Sequence, residues 1–358
     1  MPYPFGNNLK LDICGGSHDP EITMTLSGLP AGLAFDPSQL HAFTSRRAPG
    51  QNAWSSTRRE ADVPEFLGGV TERDGMLYTD GTPIFARIRN TNVRSQDYDF
   101  DLPRPGHADL AARLKYGKDV DLRGGGHFSG RLTALTCLAG GICLQYLATK
   151  DIHIGAHALS IGGVSDAQLD PVNNEIPAFA RADFPTYDQT AAERMQAEIA
   201  KARAEGDSLG GTVECKITGA PAGLGEHMFC SVESVISQAI WSIPAVKGIS
   251  FGAGFDVANM RGSQNNDAIY TDGTHIYTET NNAGGVLGGM SYGMPILFRV
   301  AIKPTPSIAK EQHTVSLSRM ENATLAIKGR HDPCIVPRAV PVVEAAAALA
   351  VTDLLLDT

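Results

Sequence analysis

An arginine- and glycine-containing segment, residues 104–126, most constrains what this chain can fold into. It holds Arg104-Pro105-Gly106-His107-Ala108-Asp109, then Lys115-Tyr116-Gly117, then Asp121-Leu122-Arg123-Gly124-Gly125-Gly126. The two arginines match carboxylate and phosphate oxygens, and consecutive glycines let backbone N–H groups approach a ligand. His107 lies between them and can donate a proton to a departing oxygen. The segment predicts an anion-binding loop, with a solvated surface loop as the alternative.

The charge distribution supports that prediction. The chain has a formal net charge of −9, which argues against a general nucleic-acid surface. Residues 46–131 nevertheless hold 14 basic residues against 12 acidic ones, and only Lys115 and Lys118 among the basic residues are lysine. Arginine is the residue expected where planar oxyanions are recognised, although pairing with the neighbouring acids explains many of these positions.

Composition indicates an ordinary globular protein of 358 residues, 42% hydrophobic and 19% charged. The amino terminus has neither a basic start nor an apolar stretch, so we expect a cytoplasmic protein with no membrane association. The cysteines lack Cys-x-x-Cys spacing, which disfavours structural zinc and a disulfide framework, and we expect reduced thiols that are mostly buried. They are Cys14, Cys137, Cys143, Cys215, Cys230 and Cys334.

Sequence organisation predicts one domain over residues 1–358 with mixed α/β architecture. No repeat or linker divides the chain, and no glycine cluster has the Rossmann or P-loop pattern. Helices are predicted over 129–149 with Ser129 as a possible N-cap, from Thr190 towards Gly206, and over Pro341–Leu356 as a packed helix. Residues 212–218 and 296–302 are predicted strands.

Three histidines follow closely after glycines in separate parts of the chain: His18, His107 and His331. A titratable group on a tight turn is typical of residues presented to a ligand. A metal site is the rival interpretation, and His153 with His157 adds a same-face pair on a presumed strand. The spacing of the acids and histidines matches no recognised zinc or iron motif, so we expect no metal.

Taken in order, these motifs resemble the chorismate synthase family, from about Asp12 to near the carboxyl terminus. The segments that carry the resemblance are Gly16-Ser17-His18, 45–50, 57–60, 81–84, 104–109, 115–117, 121–126, 206–208, 282–289, 303–307 and 329–334.

The resemblance implies a fold, a reaction and an assembly. The fold is a single-domain β-α-β sandwich of the α/β (α+β) class, and the assembly is a homotetramer. The reaction is a 1,4-elimination of phosphate and a ring proton from 5-enolpyruvylshikimate 3-phosphate to give chorismate, in aromatic amino acid biosynthesis. The family requires reduced FMN, whose electron-rich ring donates charge transiently as the phosphate bond breaks.

The resemblance also assigns roles by position. His18 corresponds to the group that protonates the departing phosphate, His107 to the histidine near the flavin, and Asp332 to the aspartate that helps flavin N5 take the ring proton. The residues that correspond to ligands of the substrate anions are Arg47, Arg104, Arg131 and Arg330. The residues that correspond to FMN-binding positions are His127, Phe128, Ser129, Ala245, Gly288, Lys303, Pro304, Thr305, Pro306, Ser307 and Arg330.

The chain departs from the family pattern at three places. Gly15-Gly16-Ser17-His18-Asp19 stands where the family has Gly-Glu-Ser-His-Gly, and His127-Phe128 stands where an arginine and a serine are usual. Bifunctional members of the family also bind NADPH, and the resemblance places that site at Arg47 and Arg59. A second arginine associated with NADPH in those members is replaced by Ala53 here. We therefore expect an external flavin reductase rather than self-sufficient reduction.

Two other functions stay open from the sequence. One is a non-catalytic descendant that binds flavin or a phosphorylated acid, suggested by the altered 127–132 segment. The other is a flavin-dependent lyase that acts on a related phosphate ester.

Overall fold

The structure, a computed structural model, describes residues 4–50, 54, 62–91, 101–177, 184–327 and 332–357. Its helices are α1 (Pro37–Ser45), α2 (Asp109–Tyr116), α3 (Thr133–Ala148), α4 (Gln189–Ala204), α5 (Val232–Trp241), α6 (Gly262–Asn265) and α7 (Val336–Leu355). Its strands are β1 (Lys10–Cys14), β2 (Glu21–Ser27), β3 (Ala34–Phe35), β4 (Pro64–Gly68), β5 (Val70–Arg73), β6 (Met76–Thr79), β7 (Ile84–Arg89), β8 (His153–Ile161), β9 (Val164–Ser165), β10 (Gly211–Thr218), β11 (Val246–Phe251), β12 (Ile269–Thr271), β13 (Ile276–Thr278), β14 (Val286–Leu287), β15 (Met290–Ser291), β16 (Ile296–Ile302), β17 (Gln312–Ser316) and β18 (Glu321–Leu325).

Two antiparallel sheets form the outer layers. The first has the strand order β1-β2-β7-β4, and in β2 the alternate residues Ile22, Met24 and Leu26 are buried. That period of two gives the sheet one core-facing surface. The second has the order β11-β16-β10-β8-β9. The predicted strands 212–218 and 296–302 are confirmed as parts of β10 and β16, which pair so that Thr212 lies opposite Ala301.

Helices fill the space between the sheets. Helix α7 packs on β8 and β10 of the second sheet, and α3 packs on α7 and contacts β2 of the first sheet. Gly140 permits the close approach of α3 and α7, because a Cβ there would lie 2.4 Å from the Cβ of Ala345. The predicted α/β sandwich is confirmed.

Two predicted helix starts differ from the structure. Asp188, not Thr190, caps α4, since its side chain accepts a hydrogen bond from the Thr190 N–H at 2.9 Å. Helix α7 starts at Val336 rather than Pro341, which lies inside the helix. Ser129 has the predicted capping role, but it caps the 3-10 turn Gly130–Leu132 that precedes α3.

Among the described residues, a single stretch, Gly130–Ala148, has the length and apolar composition to cross a membrane. Of its most apolar 18-residue window, 72% is buried inside the protein, as is typical of a core helix.

A buried ionic cluster lies on the second sheet, next to Asp188, the N-cap of α4. His157 on β8 lies opposite Glu214 on β10, and its Nε2 is 3.1 Å from Glu214 Oε2 while its Nδ1 is 3.2 Å from Asp166 Oδ2. Both ring nitrogens face carboxylates, so both must donate, which requires the imidazolium form. Burial alone would lower the pKa of His157, but hydrogen bonds from both carboxylates outweigh burial and raise that pKa.

The same carboxylates anchor the chain that follows β9. Asp166 accepts from the backbone N–H of Asp188 at 2.9 Å, and Glu214 accepts from Leu169 at 2.7 Å and from Arg299 Nε at 2.8 Å. Despite burial, these donors and His157 hold the pKa of Asp166 and of Glu214 below its usual value. The cluster therefore ties both ends of segment 166–188 to the sheet.

We predict that His157→Gln lowers the free energy of unfolding by about 3–5 kcal/mol at pH 6, because two buried carboxylates lose the cation between them. Since the pKa of His157 is raised on folding, its contribution is complete below the unfolded pKa of about 6.5 and is lost as pH rises through the folded pKa. Denaturant unfolding at a series of pH values measures both effects.

The matched control is His153→Gln, which changes an exposed histidine of the same strand and should alter stability by less than about 0.5 kcal/mol. A His157→Gln protein whose stability and pH dependence equal those of the wild type would contradict this account of the cluster.

Candidate active site

The triple-glycine loop lies directly against His18. Gly124, Gly125 and Gly126 all have positive φ, and a Cβ on Gly124 would lie 2.7 Å from Ser17 Oγ and 2.8 Å from His18 Nε2. The Ser17 N–H also donates to the Gly126 carbonyl at 3.0 Å. Only glycine suits this contact, and it joins two segments more than a hundred residues apart.

Arg123 and Arg104, the two arginines that frame the loop segment, are engaged by acids close to them in sequence. Arg123 Nη2 lies 2.6 Å from Asp121 Oδ2, and Arg104 Nε lies 2.6 Å from Asp109 Oδ2. Burial opposes ionisation of Asp109, but Arg104 outweighs it and holds the pKa of Asp109 low. Pairing with acids therefore explains part of the arginine content, as the alternative interpretation expected.

A buried carboxylate joins two of the predicted substrate arginines. Asp62 accepts a hydrogen bond from Arg47 Nη1 at 2.8 Å through one oxygen and a short one from Arg131 Nη1 through the other. All three side chains are almost fully buried. Burial would raise the pKa of Asp62, but the two guanidinium groups outweigh it and lower that pKa. Two cations are thereby fixed side by side.

Asn90 extends this network to the His18 segment. Its side-chain oxygen accepts from Arg131 Nε at 2.8 Å, and its amide nitrogen donates to the Asp19 carbonyl at 2.7 Å and to the Gly16 carbonyl at 3.2 Å. The loop that carries His18 is thus hydrogen-bonded to the residue that holds Arg131.

Arg338 extends the network in the other direction, to Asp332. Its Nη1 lies 2.5 Å from Asp332 Oδ2, and its Nε donates to the Arg47 carbonyl at 2.9 Å. His18 and Asp332 therefore stand at the two ends of one chain of contacts that runs through Asp62.

His107 packs on the segment that follows β16. Its Nε2 is 2.6 Å from Ser307 Oγ, a Cβ on Gly106 would lie 3.0 Å from Pro306, and Lys303 Nζ donates to the Gly106 carbonyl. The predicted cofactor segment 303–307 and the predicted catalytic histidine are thus direct neighbours.

Segment 303–307 also connects to Asp332. Ser208 Oγ donates to the Thr305 carbonyl at 2.6 Å, and the next residue, Leu209, donates from its N–H to the Pro333 carbonyl at 2.8 Å. The segments that carry His18, His107 and Asp332 therefore belong to one contact network.

The donor groups of 303–307 suit an anion. The Lys303 N–H donates to the Ala245 carbonyl at 2.9 Å, so these two predicted cofactor residues are adjacent. Burial, together with the nearby ammonium group of Lys247, lowers the pKa of Lys303. Thr305 Oγ1 is buried and has no hydrogen-bond partner among the described residues. Two close cations and an unsatisfied hydroxyl are what a bound phosphate would complete.

His127 and Phe128 form an aromatic cluster with Tyr116 at the end of α2. The rings of His127 and Phe128 have centroids 4.2 Å apart, and Tyr116 lies 5.9 Å from His127 and 6.4 Å from Phe128. Ser129, which follows, accepts a hydrogen bond from the Arg131 N–H at 3.2 Å. The cluster therefore adjoins the arginine network.

Gly288 is not brought to these residues within the chain. It lies in the β14–β15 turn, where the neighbouring Gly289 carbonyl accepts from Val232 at the start of α5, whereas Ala245 follows the other end of that helix. Ten helical residues span about 15 Å. Arg59, Arg330 and His331, as well as Ala53, lie outside the described residues.

A cavity of about 1060 Å³ lies elsewhere, beside α1 and the end of α3. The described residues that line it include Phe43, Arg46 and Glu344, and none of the predicted site residues. Among the described part of the chain, no group of three or more His, Cys, Asp or Glu side chains is arranged so that it could hold a metal ion. His153 is exposed, and His157 is buried between carboxylates.

Three residues of the network were not predicted from the sequence to be functional: Asp62, Asn90 and Arg338. Asp62 lies within the arginine-rich range 46–131 and belongs to no motif, and Asn90 simply follows a strand. Arg338 had a signal, since it is a charged residue at the start of a mostly apolar helix.

The chain is similar to known proteins over nearly its whole length. A family model described as chorismate synthase matches residues 9–356. The chain is 43% identical to the chorismate synthase of Lancefieldella parvula, over 99% of this chain and 96% of that protein. It is also 43% identical to the chorismate synthase of Korarchaeum cryptofilum, over 98% of this chain and 96% of that protein.

A solved structure is similar as well. A crystal structure of chorismate synthase superposes with a TM-score of 0.74 at 30% sequence identity, and it covers 98% of this chain and 93% of that chain. A family match over nearly the whole sequence, together with a shared fold, leads to one conclusion: the chain belongs to the chorismate synthase family.

Proposed function

We propose that this chain carries out the chorismate synthase reaction at the network described above. As a family member it is a lyase that acts on a phosphate ester. The substrate is 5-enolpyruvylshikimate 3-phosphate, which loses phosphate and a ring proton to give chorismate. The observation that carries the proposal is the convergence of Arg47 and Arg131 on Asp62, with contacts onward to His18 and Asp332.

The substrate's charges suit the arginines. It bears two carboxylates and a phosphate, and each can accept bidentate hydrogen bonds from a guanidinium group. Arg47, Arg131 and Arg104 are the substrate-binding arginines among the described residues, and Arg330 is proposed from the resemblance alone. Asp62 offsets only part of the positive charge, which leaves the site suited to an anion.

The residues present fit FMN. Its phosphate would be held by Lys303, Thr305 and Ser307, supported by the buried Thr305 hydroxyl and by the second ammonium group of Lys247. Ala245 adjoins Lys303, Ser129 adjoins Arg131, and His127 and Phe128 offer ring faces. Reduced FMN, when bound, supplies electron density to the allylic system as the carbon–oxygen bond to phosphate breaks.

The chain's own groups control the protons and the substrate's position. His18, seated on the triple-glycine loop with Ser17, would protonate the departing phosphate oxygen. His107 is held by Ser307 through Nε2, which fixes its ring beside the cofactor segment. Asp332 would assist removal of the ring proton.

The two alternative functions find less support. Nothing in the comparisons favours a non-catalytic descendant or a lyase for a different ester, since the curated relatives described above are chorismate synthases. The altered residues 127–132 keep Arg131 in the network, so the departure from the family pattern spares the ion pair with Asp62.

We propose a homotetramer of single-domain chains in the cytoplasm. Large apolar side chains are exposed around the β14–β15 turn and the start of α5, including Met228, Phe229, Leu287 and Met290. A cluster of this kind is typical of a subunit interface.

The decisive experiment is anaerobic incubation of the protein with dithionite-reduced FMN and 5-enolpyruvylshikimate 3-phosphate. We expect chorismate and inorganic phosphate in equal amounts. Phosphate without chorismate would indicate a different lyase, and unchanged substrate with bound flavin would indicate the non-catalytic descendant.

We predict that oxidised FMN with NADPH gives no turnover in the same assay, because one arginine of the NADPH site is Ala53 in this chain. Addition of a separate flavin reductase should restore chorismate formation. Turnover with NADPH alone would contradict the proposed need for an external reductant.

We predict that His107→Ala and Asp332→Ala each lower kcat by about a hundredfold or more, because each removes a group placed for proton control. Substrate dissociation constants should change little. The control His275→Ala alters an exposed histidine on the β12–β13 turn and should leave kcat unchanged. Wild-type turnover in both site variants would reject these roles.

We predict that Arg104→Ala weakens substrate binding by roughly tenfold to a hundredfold, since a charged hydrogen bond to the substrate is lost. Isothermal titration with substrate measures this change, and thermal unfolding reports any loss of stability from the freed Asp109. Arg194→Ala, on the exposed face of α4, is the control. An unaltered dissociation constant for Arg104→Ala would remove Arg104 from the substrate site.

A further inference from the structure

We propose that Arg338 is a positioning residue that sets the orientation of the Asp332 carboxylate. The inference rests on the proposed function, because it concerns the aspartate to which that function assigns a proton role. It adds a residue of α7 that does not itself reach the reacting atoms.

Helix α7 contains few charged residues. Over Val336–Leu355 it contains three charged residues, Arg338, Glu344 and Asp353, in an otherwise apolar sequence. Glu344 binds Arg46 at 2.6 Å, and Asp353 accepts from the backbone N–H groups of Asn8 at 2.7 Å and Leu9 at 2.8 Å. Each of these two acids fixes a neighbouring segment to the helix, and Arg338 is the remaining charge.

Arg338 makes two different contacts at once. Nη1 binds the Asp332 side chain at 2.5 Å, and Nε donates to the backbone carbonyl of Arg47 at 2.9 Å. Asp332 precedes α7, whereas Arg47 follows α1 and is held by Asp62. The Arg338 guanidinium therefore positions the Asp332 carboxylate relative to the buried arginine network, and not only relative to α7.

The electrostatic cost of this arrangement favours a specific role. Burial and the charge of Arg47 both lower the pKa of Arg338, and the Asp332 carboxylate opposes them. Packing alone would be served better by an apolar residue, as at the surrounding positions of α7. A buried cation kept beside Arg47 therefore points to the carboxylate that it holds.

The orientation of Asp332 matters because proton transfer depends on geometry. A displacement of about 1 Å at a reacting group can cost on the order of a hundredfold in rate. Without Arg338, Asp332 loses the Nη1 contact that ties its carboxylate to the Arg47 backbone, while substrate anions still meet Arg47 and Arg131. The expected defect lies in kcat rather than in KM.

The test is a double-mutant cycle on kcat with dithionite-reduced FMN under anaerobic conditions, using Arg338→Gln, Asp332→Asn and the double variant. Arg338→Gln should lower kcat by roughly tenfold to a hundredfold in the wild-type background. It should have no further effect in the Asp332→Asn background, because it acts through that carboxylate. Arg338→Lys, which keeps the charge but not the fork, should fall between Arg338→Gln and the wild type.

The split between kcat and KM adds a readout that a general loss of structure would move differently. Arg338→Gln should leave KM near the wild-type value while kcat falls, because Arg47 and Arg131 still meet the substrate anions. Arg299→Gln is the matched control. Like Arg338, Arg299 is bound to a buried carboxylate, that of Glu214. The side chains of the two arginines have similar exposure, 22% for Arg299 and 18% for Arg338. Arg299→Gln should change neither kcat nor KM.

Equal losses of kcat from Arg338→Gln in both backgrounds, or no loss in the wild-type background, would overturn the proposal. A wild-type protein that forms no chorismate would instead reject the proposed function. In that case the crystal structure of Arg338→Gln decides the positioning role. A displaced Asp332 side chain in that structure would support the positioning role, and an Asp332 side chain in its wild-type position would contradict it.

Discussion

The site depends on one buried carboxylate, Asp62, shared by Arg47 and Arg131. Two guanidinium groups in a buried region would repel each other and lose their hydration, and an acid between them, bonded through both oxygens, makes their proximity tolerable. The low pKa of Asp62 expresses the same balance, since burial is outweighed by the two cations. An arrangement of this kind contributes little net stability, so its value lies in presenting positive charge in a fixed geometry.

The sandwich supplies the frame that brings these groups together. The loop that carries His18 joins β1 to β2, Asn90 follows β7, and Asp62 precedes β4, so all three lie at one end of the first sheet. Arg131 comes just before α3 in the helical layer, and segment 303–307 follows β16 of the second sheet. The site therefore forms where element ends from both sheets and from the helices meet, and rigid elements hold short loops in place.

Sequence reasoning anticipated much of this and missed what depends on tertiary contact. Strands 212–218 and 296–302 were predictable because their patterns are local, and the arginine and glycine segment indicated an anion site. The start of α7 was not predictable, since Pro341 resembles a helix start but is accommodated inside the helix. Asp62 and Asn90 carry no local signal of function, and the charge of Arg338 in a mostly apolar helix does not indicate what it binds. Their roles arise only when distant segments pack, as with the Asn90 amide that bonds two carbonyls of the His18 loop.

The most direct test of the convergence of these segments is a crystal structure of the protein with FMN and 5-enolpyruvylshikimate 3-phosphate bound. The account predicts that His18, His107 and Asp332 each lie within hydrogen-bond reach of a ligand, directly or through one water, with Arg47 and Arg131 against substrate oxygens. A complex in which the substrate binds away from the Asp62 network, or in which any of these three side chains faces neither ligand, would contradict it.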